Sequence, residues 1–290
     1  MSKNKKYVEE FNTLNNMLNV VQTYQEIAAM RMRRVKKSVL STRDFLLDLN
    51  DTFRSVTYAY EEYLKRINKS KETGLILGKN GRTVLVFISA NMGLYGDILR
   101  KTFSYFTKDL DQKGKIADVV IVGKVGLDLF KNSIYSKKYE YTYFDLSDSG
   151  SDSENLSKIL DYVLEYSQIL VYHGFFKNVL TQEPQKTLIT GEAAKLEQVV
   201  SQGKPVSYLF EPSVEDVAKY FEEQVLASVF EQVTYESNLS KFASRMVSLY
   251  SASDNIRTSL KKVDFSVKKY NHKVFNSKQI TMLSSIYLNM

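Results

Sequence analysis

Residues 1–73 and 213–290 contain neither glycine nor proline: all 12 glycines fall between Gly74 and Gly203, and all 3 prolines between Pro184 and Pro212. These two residue types break helices most readily. Each terminal segment can therefore run as one long helix, and both turns and strands are confined to the middle.

Spacing supports this. From Leu14, alternating steps of four and three read Leu14, Leu18, Val21, Gln25, Ala28, Met32, Val35, Val39, Thr42, Leu46, Leu49, Phe53, Val56, Tyr60, Tyr63, Ile67, and only Gln25 and Thr42 interrupt the apolar series. A 3.5-residue repeat held that long is a coiled-coil seam, because it keeps one stripe on one partner. Such a helix is about 80 Å long at about 1.5 Å per residue. The C-terminal segment repeats the pattern through Leu239, Phe242, Met246, Leu249, Ser253, Ile256, Leu260, Val263, Val267, Tyr270 and Val274. The two helices most simply pair with each other as an antiparallel coiled coil; homodimerisation through the seam is the alternative.

The middle reads as an α/β layer. Four runs, TVLVFISA (83–90), DVVIVG (118–123), QILVYHGF (168–175) and VSYLFEP (206–212), are β-branched or aromatic and bounded by Gly, Asp or Pro. Residues 97–108 and 152–166 between them are amphipathic, so the sheet is expected to be largely parallel. The acidic stretch DLSDSGSDSEN (145–155) reads as a solvated connection. The expected fold is thus α/β, a long antiparallel coiled coil of N- and C-terminal helices with an inserted Rossmann-like α/β domain. Its boundaries are 1–73, 74–212 and 213–290.

Composition excludes several classes of function. There is no cysteine, and two isolated histidines, His173 and His272, make a poor metal site. The start, MSKNKKYVEEFN, has no apolar signal core, and no run is long enough to span a bilayer, so a cytoplasmic location without direct membrane insertion is expected. A formal charge of +7 and a pI near 9.1 favour an acidic partner. The most enzyme-like stretch is SANMGLYG (89–96), a strand end with Gly93, Leu94, Tyr95 and Gly96 leading into a helix. It lacks the third glycine of a dinucleotide fingerprint, so a tight strand-to-helix turn is the better reading. No GxSxG stretch occurs, and His173 has no partner identifiable from sequence.

The basic residues are more pointed. In RMRRVKK (31–37), Met32 and Val35 hold the seam while Arg31, Arg33, Arg34, Lys36 and Lys37 form a cationic collar. Residues 241–290 carry nine Lys and Arg against Asp254 and Asp264. A collar on a slim rod suits a ring-shaped acidic partner or a nucleic acid, but the interleaved aromatics of a single-strand binder are absent from it.

IAAMRMRRV (27–35) is similar to the family pattern VAASKMRRA, and FASRMVSLYSASDNI (242–256) resembles the ARMVAMxxATDNA block, of the gamma subunit of F-type ATP synthases. LVFISANMGLYGDI, LVYHGFFKNVLTQEP and YLFEPSVEDV continue the resemblance in order through nearly the whole chain. It implies a non-catalytic central rotor: an axle of the two terminal helices inside a hexameric ring of alpha and beta ATPase subunits, which hold the ATP, ADP and Mg. The chain itself would bind no cofactor and no nucleic acid. An epsilon-like subunit and a membrane rotor ring would meet its α/β foot, placing the protein peripheral to the membrane. The collar, with Arg245, would meet the ring's acidic lever loops. Ala28, Ala29, Ala243, Ser244, Ser248, Ser251 and Ala252 would form a narrow bearing, small side chains keeping the shaft thin. Departures are equally specific: the family's Asp-Arg is Asn91-Met92, its Cys is Tyr95, the second glycine of its Gly-Gly pair is Asp97, and its Arg-Gln is Val274-Phe275. These leave open an axle repurposed to drive a load other than proton translocation, such as motility. A basic coiled-coil nucleic-acid binder and a nucleotide-dependent α/β enzyme are the other readings, and neither explains the small residues at 243–253.

Overall fold

The computed structural model describes residues 3–66, 80–113, 117–148, 152–189, 211 and 213–288. Its elements are α1 (Lys3–Arg66), β1 (Thr83–Ile88), α2 (Ile98–Lys113), β2 (Ala117–Val122), α3 (Lys124–Lys131), β3 (Tyr141–Phe144), α4 (Ser153–Val163), β4 (Gln168–Phe176), β5 (Gln182–Ile189) and α5 (Val214–Leu288). The two longest helices thus lie in the two Gly/Pro-free segments. The run expected as a strand at 206–212 and the junctions at 73/74 and 212/213 lie outside the described residues, save for Glu211 and Ser213.

The chain divides into two compact units, Met30–Arg245 and a second made of Met1–Ala29 with Met246–Met290. The first holds a five-stranded sheet of order β3-β2-β1-β4-β5. β1 pairs in parallel with β2 and β4, β2 in parallel with β3, and β5 runs antiparallel to β4. Successive side chains alternate between faces. Val84, Val86, Ile88 and Val171 therefore pack against Ile159 and Val163 of α4 and Leu226, Phe230 and Val233 of α5. Leu85, Phe87, Ile121 and Tyr172 pack against Phe106 and Leu110 of α2 and Phe130 of α3. Covering both faces is what allows a parallel sheet this apolar.

Sequence spacing missed β3, β5 and α3. β3 is four residues of YTYF, too short to show a period, and β5 is polar with Pro184 in it. Pro lacks the N–H for a second neighbour, which an outer strand does not need. Ser213 caps α5: its Oγ accepts from the Asp216 N–H at 3.1 Å and donates to the Asp216 carboxylate at 2.7 Å.

In the second unit the two helical segments run antiparallel and pack along the expected stripe. Leu14, Leu18, Val21 and Gln25 are half-buried and Ala28 is buried. Opposite them Leu249, Ser253 and Val263 are buried and Met246, Ile256, Leu260, Val267 and Tyr270 half-buried. The seam stops at Tyr270, because every described side chain from 271 to 285 is exposed, Val274 among them.

Candidate functional site

Strand order reverses beside β1: the chain steps through β2 and β3 on one side, then returns to β4 on the other. In parallel sheets this leaves a crevice at the carboxyl ends of the strands, the usual place for a ligand. Here α5 fills it. A Cβ on Gly174 of β4 would lie 2.7 Å from Ser240 Oγ, and Lys241 Nζ donates to the Ser89 carbonyl at the end of β1 over 2.7 Å.

The loop after β1 presents backbone donors of the kind that cradle a phosphate, and Asp148 occupies them. Its Oδ2 accepts the N–H groups of Asn91 and Met92, both at 3.1 Å, and the Tyr95 hydroxyl at 3.0 Å. Its Oδ1 lies 3.1 Å from Lys241 Nζ, with both side chains 4% exposed. Burial alone would raise the Asp148 pKa, but the Lys241 charge and the hydrogen bonds from Lys241, Tyr95 and Met92 outweigh it and hold the carboxyl below the ordinary range. Burial lowers the Lys241 pKa, and Asp148 opposes that shift. Burial, then the Asp148 charge, pushes the Tyr95 phenol up and keeps it a donor. An internal carboxylate thus occupies the donors of this loop.

Asn91 gathers three strand ends. Its side-chain amide donates to Asp145 and to the Leu146 carbonyl, and its Oδ1 accepts the Lys124 N–H at 2.9 Å. Asn91 and Tyr95, two of the departures noted in sequence, are therefore taken up by internal contacts. Leu94 takes a left-handed backbone (φ 66°) with its side chain 67% exposed; Gly96 follows at φ 61°, and Gly93 has open space where a Cβ would go.

The collar divides. Arg33, Arg34, Lys36 and Lys37 are exposed, whereas Arg31 is half-buried with its guanidinium 5.9 Å from the Phe242 ring centre. Arg245, grouped with the collar from its charge, turns inward instead: it is 6% exposed, donates to the Gly93 carbonyl and stacks 3.9 Å above the Tyr95 ring. It is i+4 from Lys241, which puts both on the face that meets the sheet. Around them Val35, Leu239 and Phe242 pack with Tyr95, Ile98 and Leu99.

Of the small residues, Ala28, Ala243 and Ser244 are buried, Ala29, Ser248 and Ala252 half-buried and Ser251 exposed. His173 is buried, its Nδ1–H donating to the Gly174 carbonyl at 3.2 Å while Nε2 accepts from Thr187 Oγ1 at 3.0 Å; His272 is exposed. Among the described residues no group of three or more His, Asp or Glu is placed to hold a metal ion.

Sequence reasoning missed Asp148 and Lys241. Asp148 was read as part of a solvated acidic loop, yet it is 5% exposed, and Asp152 of the same stretch caps α4. Lys241 was counted only as one of the nine cations of residues 241–290. The available signal was a lysine between seam positions Leu239 and Phe242, one turn before another cation.

A profile of the family described as ATP synthase matches residues 4–272. The ATP synthase gamma chain of Ruthia magnifica subsp. Calyptogena magnifica is 22% identical over 287 residues, covering 93% of each chain. That of Desulforamulus reducens is 25% identical over 258 residues and 86% of each. Among solved structures, a chain from the central stalk and c-ring of the Tetrahymena thermophila mitochondrial ATP synthase superposes with a TM-score of 0.53 at 17% identity. The match covers 81% of this chain and 99% of that one, a likeness of fold.

Proposed function

Because this chain belongs to the ATP synthase family as a gamma chain, the non-catalytic central rotor of an F-type ATPase, we propose that its two long helices turn inside a hexamer of alpha and beta subunits that bind the ATP and Mg. The observation that carries this is the extent of the match: residues 4–272 take in α1, the whole sheet domain and most of α5. A coiled-coil nucleic-acid binder would share the helices and the charge, but not the domain between them.

The ring-facing charges are Arg33, Arg34, Lys36 and Lys37, which are exposed on α1 and free to meet acidic lever loops. Arg31 and Arg245 support the rotor from inside. The small side chains of the bearing, Ala28, Ala29, Ala243, Ser244, Ser248, Ser251 and Ala252, keep the shaft narrow, so that no rotation angle acquires a deep apolar energy well. The α/β domain meets an epsilon-like subunit and the membrane rotor ring, on the cytoplasmic side and peripheral to the membrane; no described helix is long and apolar enough to cross one. The side chains of Asn91 and Tyr95, which depart from the family pattern, are engaged by internal contacts, which supports an ordinary rotor over a different load.

Affinity purification of the tagged chain from its native cell, with mass spectrometry and an ATPase assay, tests this reading. Recovery with alpha-like and beta-like subunits and with proton-channel subunits is expected. Recovery with the ATPase subunits but no channel would replace the synthase by a repurposed motor. Recovery alone or with nucleic acid would refute the rotor.

A further inference from the structure

A rotor whose sheet domain takes up or delivers torque needs that domain fixed to the turning helix against twist, not merely against separation. The apolar contacts of Leu226, Phe230 and Val233 with the sheet hold α5 on. These close-packed side chains resist a large turn, but hydrophobic attraction is non-directional, whereas a hydrogen bond weakens steeply with distance and angle and so fixes the helix more sharply. Beyond them the face becomes polar, and Ser237 Oγ, Asn238 Nδ2 and Ser240 Oγ are buried without a hydrogen-bond partner among the described residues. The directional contacts are concentrated one turn further, at Lys241 and Arg245.

These two cations hold the same loop at two points. Lys241 bonds the Ser89 carbonyl and Asp148, and Arg245 bonds the Gly93 carbonyl and covers the Tyr95 ring. Asp148 completes the grip, since its second oxygen takes the Asn91 and Met92 N–H groups and the Tyr95 hydroxyl. Sliding α5 by one residue, about 1.5 Å, or turning it by about 100° would carry the ammonium away from every acceptor. A buried charge left unpaired is among the costliest defects in a protein interior.

We propose that Lys241 and Asp148 are positioning residues that key the α/β domain to helix α5, so that torque passes between domain and shaft through this pair. This rests on the rotor reading, and the test separates the two. The chain has no cysteine, so Lys137→Cys on the exposed surface of the domain gives the rotor a single thiol for a bead, in a complex whose partner subunits have their accessible cysteines replaced. The complex is immobilised by its ATPase ring and the bead is followed during ATP hydrolysis. Lys241→Met and Asp148→Asn should widen the bead's angular spread at each pause by about threefold or more, because the key has lost one charge. Tyr95→Phe, which removes one donor to Asp148 and keeps the ring beneath Arg245, should widen it less and serves where the charge variants fail to assemble. In Asp148→Gly, added formate should narrow the spread again by refilling the carboxylate position, which a purely structural role for the side chain would not produce. A wild-type bead that never rotates with ATP refutes the rotor reading itself. A rotating wild type, with variants that hold the bead as tightly and no response to formate, overturns the key.

Discussion

His173 provides a pH-dependent stability whose size follows from its surroundings. The imidazole is 0% exposed, and burial pushes its pKa down to about 4 from the ordinary 6.5; the hydrogen bond to the Gly174 carbonyl opposes the shift only in part. Because the folded-state value lies below the unfolded one, the unfolded chain takes up the proton first as the pH falls. The contribution is therefore complete above about pH 6.5, declines below it, and is gone below about pH 4. At about 1.36 kcal/mol per pKa unit, the full difference is about 3 kcal/mol, of which about 1.4 is lost by pH 5.5 and about 2.5 by pH 4.5. His173→Gln keeps polar atoms near Gly174 and Thr187 but cannot titrate. Urea unfolding of the full chain and of His173→Gln, between about pH 8 and 4.5, isolates the term as the difference between the two curves, since carboxylates shared by both cancel. The difference should stay flat above about pH 7 and then shift by about 2.5 kcal/mol against the wild type by pH 4.5. A difference independent of pH would refute a buried neutral histidine, because a ring that kept its solvation would titrate alike in the folded and unfolded chains.

Two further outcomes are expected. Gly123 has φ 94°, and a Cβ there would meet the backbone of Ala90 at 2.8–2.9 Å, so Gly123→Ala should cost more than about 3 kcal/mol; a urea midpoint near that of the wild type would disprove the close approach of the β1 and β2 exits. Replacing Arg33, Arg34, Lys36 and Lys37 together by Gln should weaken assembly with the ATPase ring and flatten its salt dependence, measured as association rate against ionic strength, while leaving the thermal midpoint of the chain within a few degrees. Unchanged rates at low salt would remove the collar from the ring interface.

Much of the fold was legible because it depends on period and on breakers. The seam of α1 is half-buried or buried at every described position from Leu14 to Val56, Gln25 and Thr42 included. Their neighbours set the helix on its partner, and the geometry carries the two polar residues along. β1, β2 and β4 announced themselves as continuous apolar runs because both faces of the sheet are covered. β3 and β5 did not, since an outer strand needs only one neighbour and tolerates YTYF or a proline. Of the collar cations, Arg33, Arg34, Lys36 and Lys37 are exposed, as a charge run on a helix suggests, while Arg31 and Arg245 are not.

By itself, then, the chain determined two uninterrupted helices, a sheet domain between them and the family they belong to, because helix periodicity, strand hydrophobicity and the placing of Gly and Pro are local properties written residue by residue. Which charges face solvent was decided only in three dimensions. Arg33 and Arg245 are the same residue type on similar helices, yet one is exposed and the other is stacked on Tyr95. Asp148 lies in a stretch as acidic as any surface loop, yet it is buried against Lys241, 93 residues away. Burying a charge requires a partner at hydrogen-bond distance, and chain folding alone brings together partners that distant in sequence.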